Sequence, residues 1–243
     1  VAEELATCIT CQVKQRRNRT DQRHTYAPVL QGYPFQRVSI DLVGPLPRTP
    51  RGNQYVLTVR DTFTRWTEAF PITEPTSEKV LRALENNIFC RYGLPEQVHS
   101  DQGSQFTSTL YKDTMGMLGV KNTYTPAYNP KSNPVERYHR VLGDMIRALA
   151  LDGRSKSWDD AVPHAVFAHN TAVCSATGVS PFAALFGRDP PTPLDQLFGK
   201  PPGYDAVYQS APAYLKDLRL RIERTHADMR DQALVMVARQ QRR

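Results

Sequence analysis

The order of strand-like and helix-like patterns constrains the fold of this chain more than any other feature. Apolar residues alternate over Val38–Leu42 before a Gly-Pro breaker, and a β-rich run follows at Tyr55–Val59. A third run, Trp66–Ile72, comes after a turn-like segment. Alternating or β-rich runs bounded by turn residues are typical of strands that follow one another directly. This part of the chain therefore predicts an antiparallel meander of three strands.

Helices and strands then alternate. Thr76 or Ser77 offers an N-terminal cap, apolar residues follow at helical spacing, and Gly93 is expected to end this helix. Because a helical crossover places the strands it joins in parallel, some pairing must be parallel. The sequence therefore predicts an α/β fold with a mixed five-stranded sheet flanked by helices. The remaining predicted elements are a strand, a helix, a strand and a long helix, at Gln97–Ser100, Leu110–Leu118, Val120–Thr125 and Asn133–Leu151.

The chain is expected to fall into three regions. Residues 1–34 form an opening appendage with the basic run Lys14–Arg19, and residues 35–152 form the α/β core. Residues 153–243 are predicted to be a helical extension that completes the core and closes with a helix from about Ala213. Four apolar positions of this closing helix are expected to pack on another protomer or on a part of the protein outside this sequence: Leu218, Leu220, Ile222 and Met229.

Composition narrows the class of protein. The 243 residues are 40% hydrophobic, which is enough for a sizeable core. No run approaches the roughly 18 apolar residues of a membrane span, and no secretory signal is visible. Four cysteines are too few for a disulfide scaffold, so a reducing compartment is expected. The net charge of +7 favours a polyanionic partner such as nucleic acid.

Three acidic residues are candidates for a metal site. Asp41 lies near the end of the first strand and Asp101 follows the fourth, and ligand sites often form at the ends of neighbouring central strands. Glu136 falls in the first turn of the long helix, on its polar and basic face. Three such carboxylates would repel one another unless cations were bound, and hard oxygen ligands suit Mg²⁺ or Mn²⁺. Two ions about 4 Å apart can activate an attacking hydroxyl and stabilise the leaving oxygen of a phosphodiester.

Each of these residues also has a structural interpretation. An Asp between a strand and a loop, such as Asp101, is often a turn former. Asn133 and Glu136 fit the first and last positions of a helix capping box. Asp61 and Asp113 are expected to be surface residues. Spacing alone leaves the metal-site and structural interpretations open.

Four segments resemble one protein family, in the order in which that family has them. They resemble the integrases of retroviruses and long-terminal-repeat retrotransposons, most closely the Ty3/gypsy type, and the likeness runs from about Cys8 to Arg243. The segments are Arg37–Pro47, His99–Ser108, Ala127–Arg140 and Ser175–Arg188.

The resemblance implies an RNase H-like core in which Asp41, Asp101 and Glu136 are a D,D,E triad that binds two Mg²⁺ or Mn²⁺ ions. The implied activity is that of a polynucleotidyl transferase with associated endonuclease activity. It would trim the 3′ ends of donor DNA and then join each new 3′-hydroxyl to target DNA. The resemblance also assigns four residues to DNA binding: Lys131, Asn133, Arg140 and Arg147. The alternative is that these residues form a solvated helix face.

The resemblance also implies partners and further domains. Cys8 and Cys11 look like half of a His-His-Cys-Cys zinc module, so Zn²⁺ is expected only in a longer protein with the matching upstream histidines. A DNA-binding domain is expected after Arg243. The expected partners are donor retroelement ends, target DNA and further copies of the chain, at least a dimer. The expected location is the nucleus or a cytoplasmic replication particle, away from membranes.

The sequence departs from the family pattern just before Glu136. Asn129 and Lys131 stand where the family usually has His and Gln, and Pro134 replaces two residues. As a result, 34 residues separate Asp101 from Glu136, one fewer than usual. An inactive or domesticated integrase-like DNA-binding protein is therefore the alternative to an active integrase. An RNase H-like nuclease is a third hypothesis, against which the polar segment 153–243 argues.

Overall fold

The computed structural model describes residues 32–125, 143–144, 157–191 and 210–241. Within these ranges the sheet has five strands in the order β3-β2-β1-β4-β5. β1 pairs antiparallel with β2, and β2 with β3, whereas β4 pairs parallel with both β1 and β5. The predicted meander and mixed five-stranded sheet are confirmed. The strands are β1 Arg37–Val43, β2 Tyr55–Asp61, β3 Thr67–Ile72, β4 Gln97–Ser100 and β5 Lys121–Tyr124.

Helices occupy the connections that the sequence pattern assigned to them. α1 (Ser77–Leu84) begins after Thr76, whose hydroxyl accepts a hydrogen bond from the N–H of Lys79. It continues through a π-helical stretch, Glu85–Phe89, and a final turn, Cys90–Tyr92. The other helices described are α2 Ser104–Thr107, α3 Thr109–Met117, α4 Trp158–Thr171, α5 Pro181–Phe186 and α6 Ala211–Gln241.

Helices pack on both faces of the sheet. Successive strand residues point to opposite faces, so neighbouring residues of β2 serve different layers. Leu57 belongs to the main core with α1 and α3, whereas Val56 packs with α4. The largest fully buried side chains of the main core come from strands and helices alike: Val38, Ile40, Leu57, Val59, Val80, Leu84, Ile88, Phe106, Tyr111 and Met115.

α4 also closes the β3 edge of the sheet. The side-chain amide of Asn170 faces the backbone of Thr67 and makes the two hydrogen bonds that a neighbouring strand would make. The N–H of Thr67 donates to Asn170 Oδ1 at 3.0 Å, and Asn170 Nδ2 donates to the Thr67 carbonyl at 2.8 Å. Asn170 is buried, so both backbone groups are satisfied away from water.

The expectation that α6 packs outside this chain is wrong for most of its apolar positions. Met229 is buried with Phe63 and Ala184 of the same chain. A Cβ added at Gly187, which follows α5, would lie 2.5 Å from Ile222 Cγ1 and 3.0 Å from Leu218 Cδ1. The missing side chain of Gly187 therefore allows α6 to approach α5 closely. Of the four predicted positions, Leu220 is the exposed one, at 43%.

Asp61 is fully buried, which corrects the expectation that it lies on the surface. Its carboxylate accepts hydrogen bonds from the N–H groups of Phe63 and Thr64 and from the Thr64 hydroxyl. Burial raises the pKa of Asp61, and these donors oppose that rise. Asp61 therefore shapes the turn between β2 and β3. Asp113 is exposed, as expected.

The predicted helix from Asn133 to Leu151 lies outside the described residues, except for residues 143–144, which are helical. Most of the opening appendage, residues 1–31, also lies outside them. Among the helices of the described ranges, none is both long enough and apolar enough to cross a membrane.

Candidate active site

Asp41 lies on β1, in the centre of the sheet. Its Oδ1 accepts a hydrogen bond from the N–H of Leu42 at 2.8 Å. The hydroxyl of Thr58 on β2 donates to the main-chain carbonyl of Asp41 at 3.2 Å, and the two residues are paired in the antiparallel register. Paired residues project to the same face of a sheet. Asp41 is therefore half-buried on the sheet face that carries Thr58.

Asp101 follows β4 directly and is exposed. Its Oδ1 accepts a hydrogen bond from the N–H of Gly103 at 3.0 Å, the geometry of a turn closed by an Asp side chain. The hydroxyl of Ser100 donates to the Asp101 carbonyl at 2.8 Å. Asp101 is thus a turn former, and this same turn orients its carboxylate at the exposed end of β4.

The structure brings Asp41 and Asp101 to the same edge of the sheet. β1 and β4 are parallel neighbours, and Ser39 pairs with His99. Continued by two residues, that register aligns Asp41 with Asp101. Neighbouring strands lie about 4.8 Å apart, and aligned residues project to one face. A continued register would therefore start the two carboxylates from neighbouring backbone positions, although Asp101 itself lies just beyond the paired residues of β4.

A hydrogen-bonded link ties the Asp101 turn to the end of β5. Gln102 Nε2 donates to the carbonyl of Thr125 at 3.1 Å. Thr125 is held in turn by its N–H, which donates to the Ser100 carbonyl at 2.9 Å. The sequence interpretation singled out neither Gln102 nor Thr125. The available signal was the place of Gln102 inside the segment His99–Ser108.

His99 lies on β4, two residues before Asp101, and is 5% exposed. Its Nδ1 lies 3.0 Å from the Thr123 hydroxyl and its Nε2 lies 3.3 Å from the Thr125 hydroxyl. Burial, with a smaller contribution from Arg37, lowers the pKa of His99 to about 4. The ring is therefore neutral at pH 7, with one donor and one acceptor nitrogen for the two hydroxyls.

The donor set at this edge fits a hard divalent cation, because carboxylate oxygens are the ligands that Mg²⁺ and Mn²⁺ prefer. In the part of the chain that the structure describes, no three His, Cys, Asp or Glu side chains form a group able to hold a metal ion. The third predicted ligand, Glu136, lies outside that part. So do the other predicted ligands and DNA contacts: Cys8, Cys11, Lys131, Asn133, Arg140 and Arg147.

The sequence of this chain is similar to a known protein family and to known proteins. Residues 33–130 match the family described as "Integrase core domain". The retrovirus-related Pol polyprotein from transposon 412 of Drosophila melanogaster is 27% identical over 197 residues, which are 81% of this chain and 16% of that protein. The Gag-Pol polyprotein of feline leukemia virus is 32% identical over 171 residues, which are 70% of this chain and 10% of that protein. The chain thus spans a small part of the length of these polyproteins.

A solved structure shows the fold. The integrase catalytic core domain of HTLV-2, determined in complex with magnesium in a trimeric form, matches with a TM-score of 0.52 at 17% identity. The match covers 61% of this chain and 95% of that core domain. The predicted RNase H-like fold of an integrase core, with a helical C-terminal region, is confirmed.

Proposed function

Since the chain carries an integrase core domain homologous to those of retrotransposon and retroviral Pol proteins, we propose that it acts in DNA integration as a polynucleotidyl transferase. Its substrates would be the ends of donor retroelement DNA and a target duplex. The observation that carries this proposal is the placement of Asp41 on β1 and of Asp101 directly after β4, the parallel neighbour of β1.

Asp41, Asp101 and Glu136 are the proposed ligands of two Mg²⁺ or Mn²⁺ ions. The magnesium in the HTLV-2 core domain supports this choice of metal. Bound there, the ions would activate the attacking oxygen and stabilise the leaving oxygen of a phosphodiester. The chain supplies rigidity: Asp41 is fixed within a paired strand, and the turn at Gly103 orients Asp101.

The proposed reaction is two successive phosphoryl transfers without a covalent enzyme intermediate. Water first attacks a phosphorus near the 3′ end of the donor strand, the bond to the 3′-oxygen breaks, and that oxygen takes up a proton. The new 3′-hydroxyl then loses its proton as it attacks a target phosphorus, and the target 3′-oxygen leaves. Each step forms one P–O bond and breaks one, so it needs no oxidant or other co-reactant.

DNA binding would rest mainly on phosphate contacts. The net charge of +7 suits a polyanion, and Lys131, Asn133, Arg140 and Arg147 are the proposed contacts. Because two donor ends must be joined to one target, we also propose a homo-oligomer of at least two copies, in line with the trimeric HTLV-2 core. The proposed place of action is the nucleus or a cytoplasmic replication particle.

The proposed division of the chain is unchanged from the sequence interpretation. Residues 1–34 would be the remnant of a zinc-binding module and a basic linker, residues 35–152 the catalytic core, and residues 153–243 the core-completing helices and helical linker. Zn²⁺ would bind only in a longer protein that supplies histidines to Cys8 and Cys11.

The test is strand transfer by the full-length protein with Mg²⁺ and a donor-end duplex. Asp41→Asn, Asp101→Asn and Glu136→Gln should each lower the rate at least a hundredfold, because each removes a charge that holds a metal ion. Asp113→Asn changes an exposed carboxylate on α3 and is the matched control, expected to keep the wild-type rate.

Three other results would contradict the proposal. Activity that survives any of the three triad substitutions would remove that residue from the site. DNA binding without strand transfer by the wild type would favour the inactive or domesticated DNA-binding protein, which the shortened interval before Glu136 also favours. Cleavage of RNA–DNA hybrids in place of strand transfer would favour a nuclease.

A further inference from the structure

Asp101 lies beyond the last paired residue of β4, so the hydrogen bonds of the sheet do not fix it directly. Its bond to Gly103 and the bond from Ser100 are local, because they join residues at most two positions apart. The next anchor along the chain is Phe106, which is fully buried and whose carbonyl accepts a hydrogen bond from the Tyr124 hydroxyl at 3.1 Å. A contact from the turn itself to another strand therefore helps to fix the distance between the two carboxylates.

Gln102 makes such a contact. Its side-chain amide crosses to the carbonyl of Thr125, 23 residues further along the chain, at 3.1 Å. We propose that Gln102 is a positioning residue for Asp101: it holds the turn that carries this carboxylate against β5 and so keeps Asp101 in register with Asp41. This inference rests on the proposed function, because it concerns the metal-binding role of Asp101.

The anchor at Thr125 is well suited to this purpose. Thr125 is 7% exposed, and its N–H donates to the carbonyl of Ser100, the residue before Asp101. Its hydroxyl lies against the buried ring of His99. The Thr125 carbonyl is thus fixed to β4 on one side and receives Gln102 on the other. Gln102 and Thr125 close a ring of contacts around Asp101.

The chemistry of the contact requires a donor of this length. The acceptor is a backbone carbonyl, so an amide N–H can pair with it, whereas a carboxylate would face it with negative charge. Methionine has nearly the length of glutamine but has no donor. Gln102→Met therefore removes the hydrogen bond and keeps the bulk, and Gln102→Glu removes it and adds a negative charge.

Loss of the hydrogen bond between Gln102 and Thr125 should weaken metal binding more than it destabilises the fold. Gln102 is exposed, so its replacement leaves the apolar core intact. Groups that orient metal-ligating carboxylates typically affect metal affinity by about 10- to 100-fold when they are removed. We expect Gln102→Met to weaken Mn²⁺ binding about tenfold and to shift the thermal midpoint by less than about 2 °C, since surface substitutions are usually nearly neutral.

The experiment is a Mn²⁺ titration of the full-length protein followed by electron paramagnetic resonance, with thermal unfolding measured in parallel. Gln105→Met is the matched control, because Gln105 lies on α2 with its side chain beside Gly103 rather than against β5. Gln105→Met should bind Mn²⁺ like the wild type. Gln102→Glu is the second variant and should also lose affinity, because a carboxylate cannot donate to the Thr125 carbonyl.

Wild-type affinity in Gln102→Met would overturn the inference, and so would an equal loss in Gln105→Met. Asp41→Asn is included to separate this inference from the proposed function. If the wild type binds no Mn²⁺, or if Asp41→Asn binds as much Mn²⁺ as the wild type, the proposed metal site is wrong and this inference is wrong with it. If Asp41→Asn removes the bound Mn²⁺ but Gln102→Met does not weaken it, only the positioning role is overturned.

Discussion

Replacing His99 by Gln should change how the stability of the protein depends on pH. His99 is 5% exposed on β4, and burial lowers its pKa to about 4. In the unfolded chain a histidine has a pKa of about 6.5. Between these values the unfolded state binds a proton that the folded state does not bind. Neutral His99 therefore contributes stability that is fully present above pH 6.5 and is lost as the pH falls toward 4.

The size of the effect follows from the two pKa values. At pH 5 the unfolded side chain is almost fully protonated and the folded one almost fully neutral. The difference of about 1.5 pH units between 6.5 and 5, at about 1.36 kcal/mol per unit, corresponds to about 2 kcal/mol. Between pH 7 and pH 5, the wild type should therefore lose about 2 kcal/mol more of its free energy of unfolding than His99→Gln. The other five histidines are present in both proteins, so they drop out of this comparison.

The measurement is urea unfolding of both proteins at pH 7 and pH 5 with a chelator present, so that no metal ion contributes. His164→Gln is the control: His164 is exposed on α4, where water surrounds it in both states, and this variant should follow the wild type. Equal losses in the wild type and His99→Gln would refute the reasoning, because they would mean that His99 takes up its proton in the folded state as readily as in the unfolded one.

Two further predictions concern the helices that close the domain. Gly187→Ala should destabilise the protein by about 1–2 kcal/mol, the cost of a left-handed backbone for a residue with a Cβ, because Gly187 has φ = 67°. The new Cβ should also displace Ile222, so limited proteolysis should cut α6 faster, and unchanged protection would contradict this packing. Asn170→Ala should cost about 2–4 kcal/mol in urea unfolding, because it leaves the N–H and carbonyl of Thr67 without partners. Phe167→Ala, an exposed site on the same helix, should be nearly neutral, and an equal loss there would remove the edge-closing role of Asn170.

Local signals in the sequence were sufficient where an element is bounded by residues with strong conformational preferences. β4 is the strand predicted at Gln97–Ser100, which runs directly into the Asp-Gln-Gly turn. α1 starts at the predicted cap, Thr76. The π-helical stretch that follows α1 was not predicted, since the side chains of Glu85–Phe89 fit an ordinary α-helix equally well. Asp61 was misplaced because its three donors come together only when the turn after β2 is closed.

The candidate site also combines features that local sequence signals predict with features that they do not predict. The positions of Asp41 and Asp101 at strand ends follow from the pattern of each strand, but their alignment depends on the parallel register of β1 and β4. The contact between Gln102 and Thr125 depends on the further register of β4 with β5. A parallel register has no turn sequence that determines it, because the strands are joined by long crossovers. Residues that act through such a register are therefore found from structure rather than from sequence.

α6 shows the same distinction at the level of packing. Its apolar spacing correctly indicates that one face is buried, because Met229 is 3% exposed. Periodicity indicates which residues of a helix are buried, but it carries no information on the surface that covers them. The partner of α6 lies in the same chain: Met229 packs with Phe63 and Ala184, and Gly187 lacks the Cβ that would otherwise lie 2.5 Å from Ile222. An apolar helical face near the end of a sequence is thus as consistent with an intramolecular partner as with a second protomer, and here a glycine without a side chain allows the intramolecular contact.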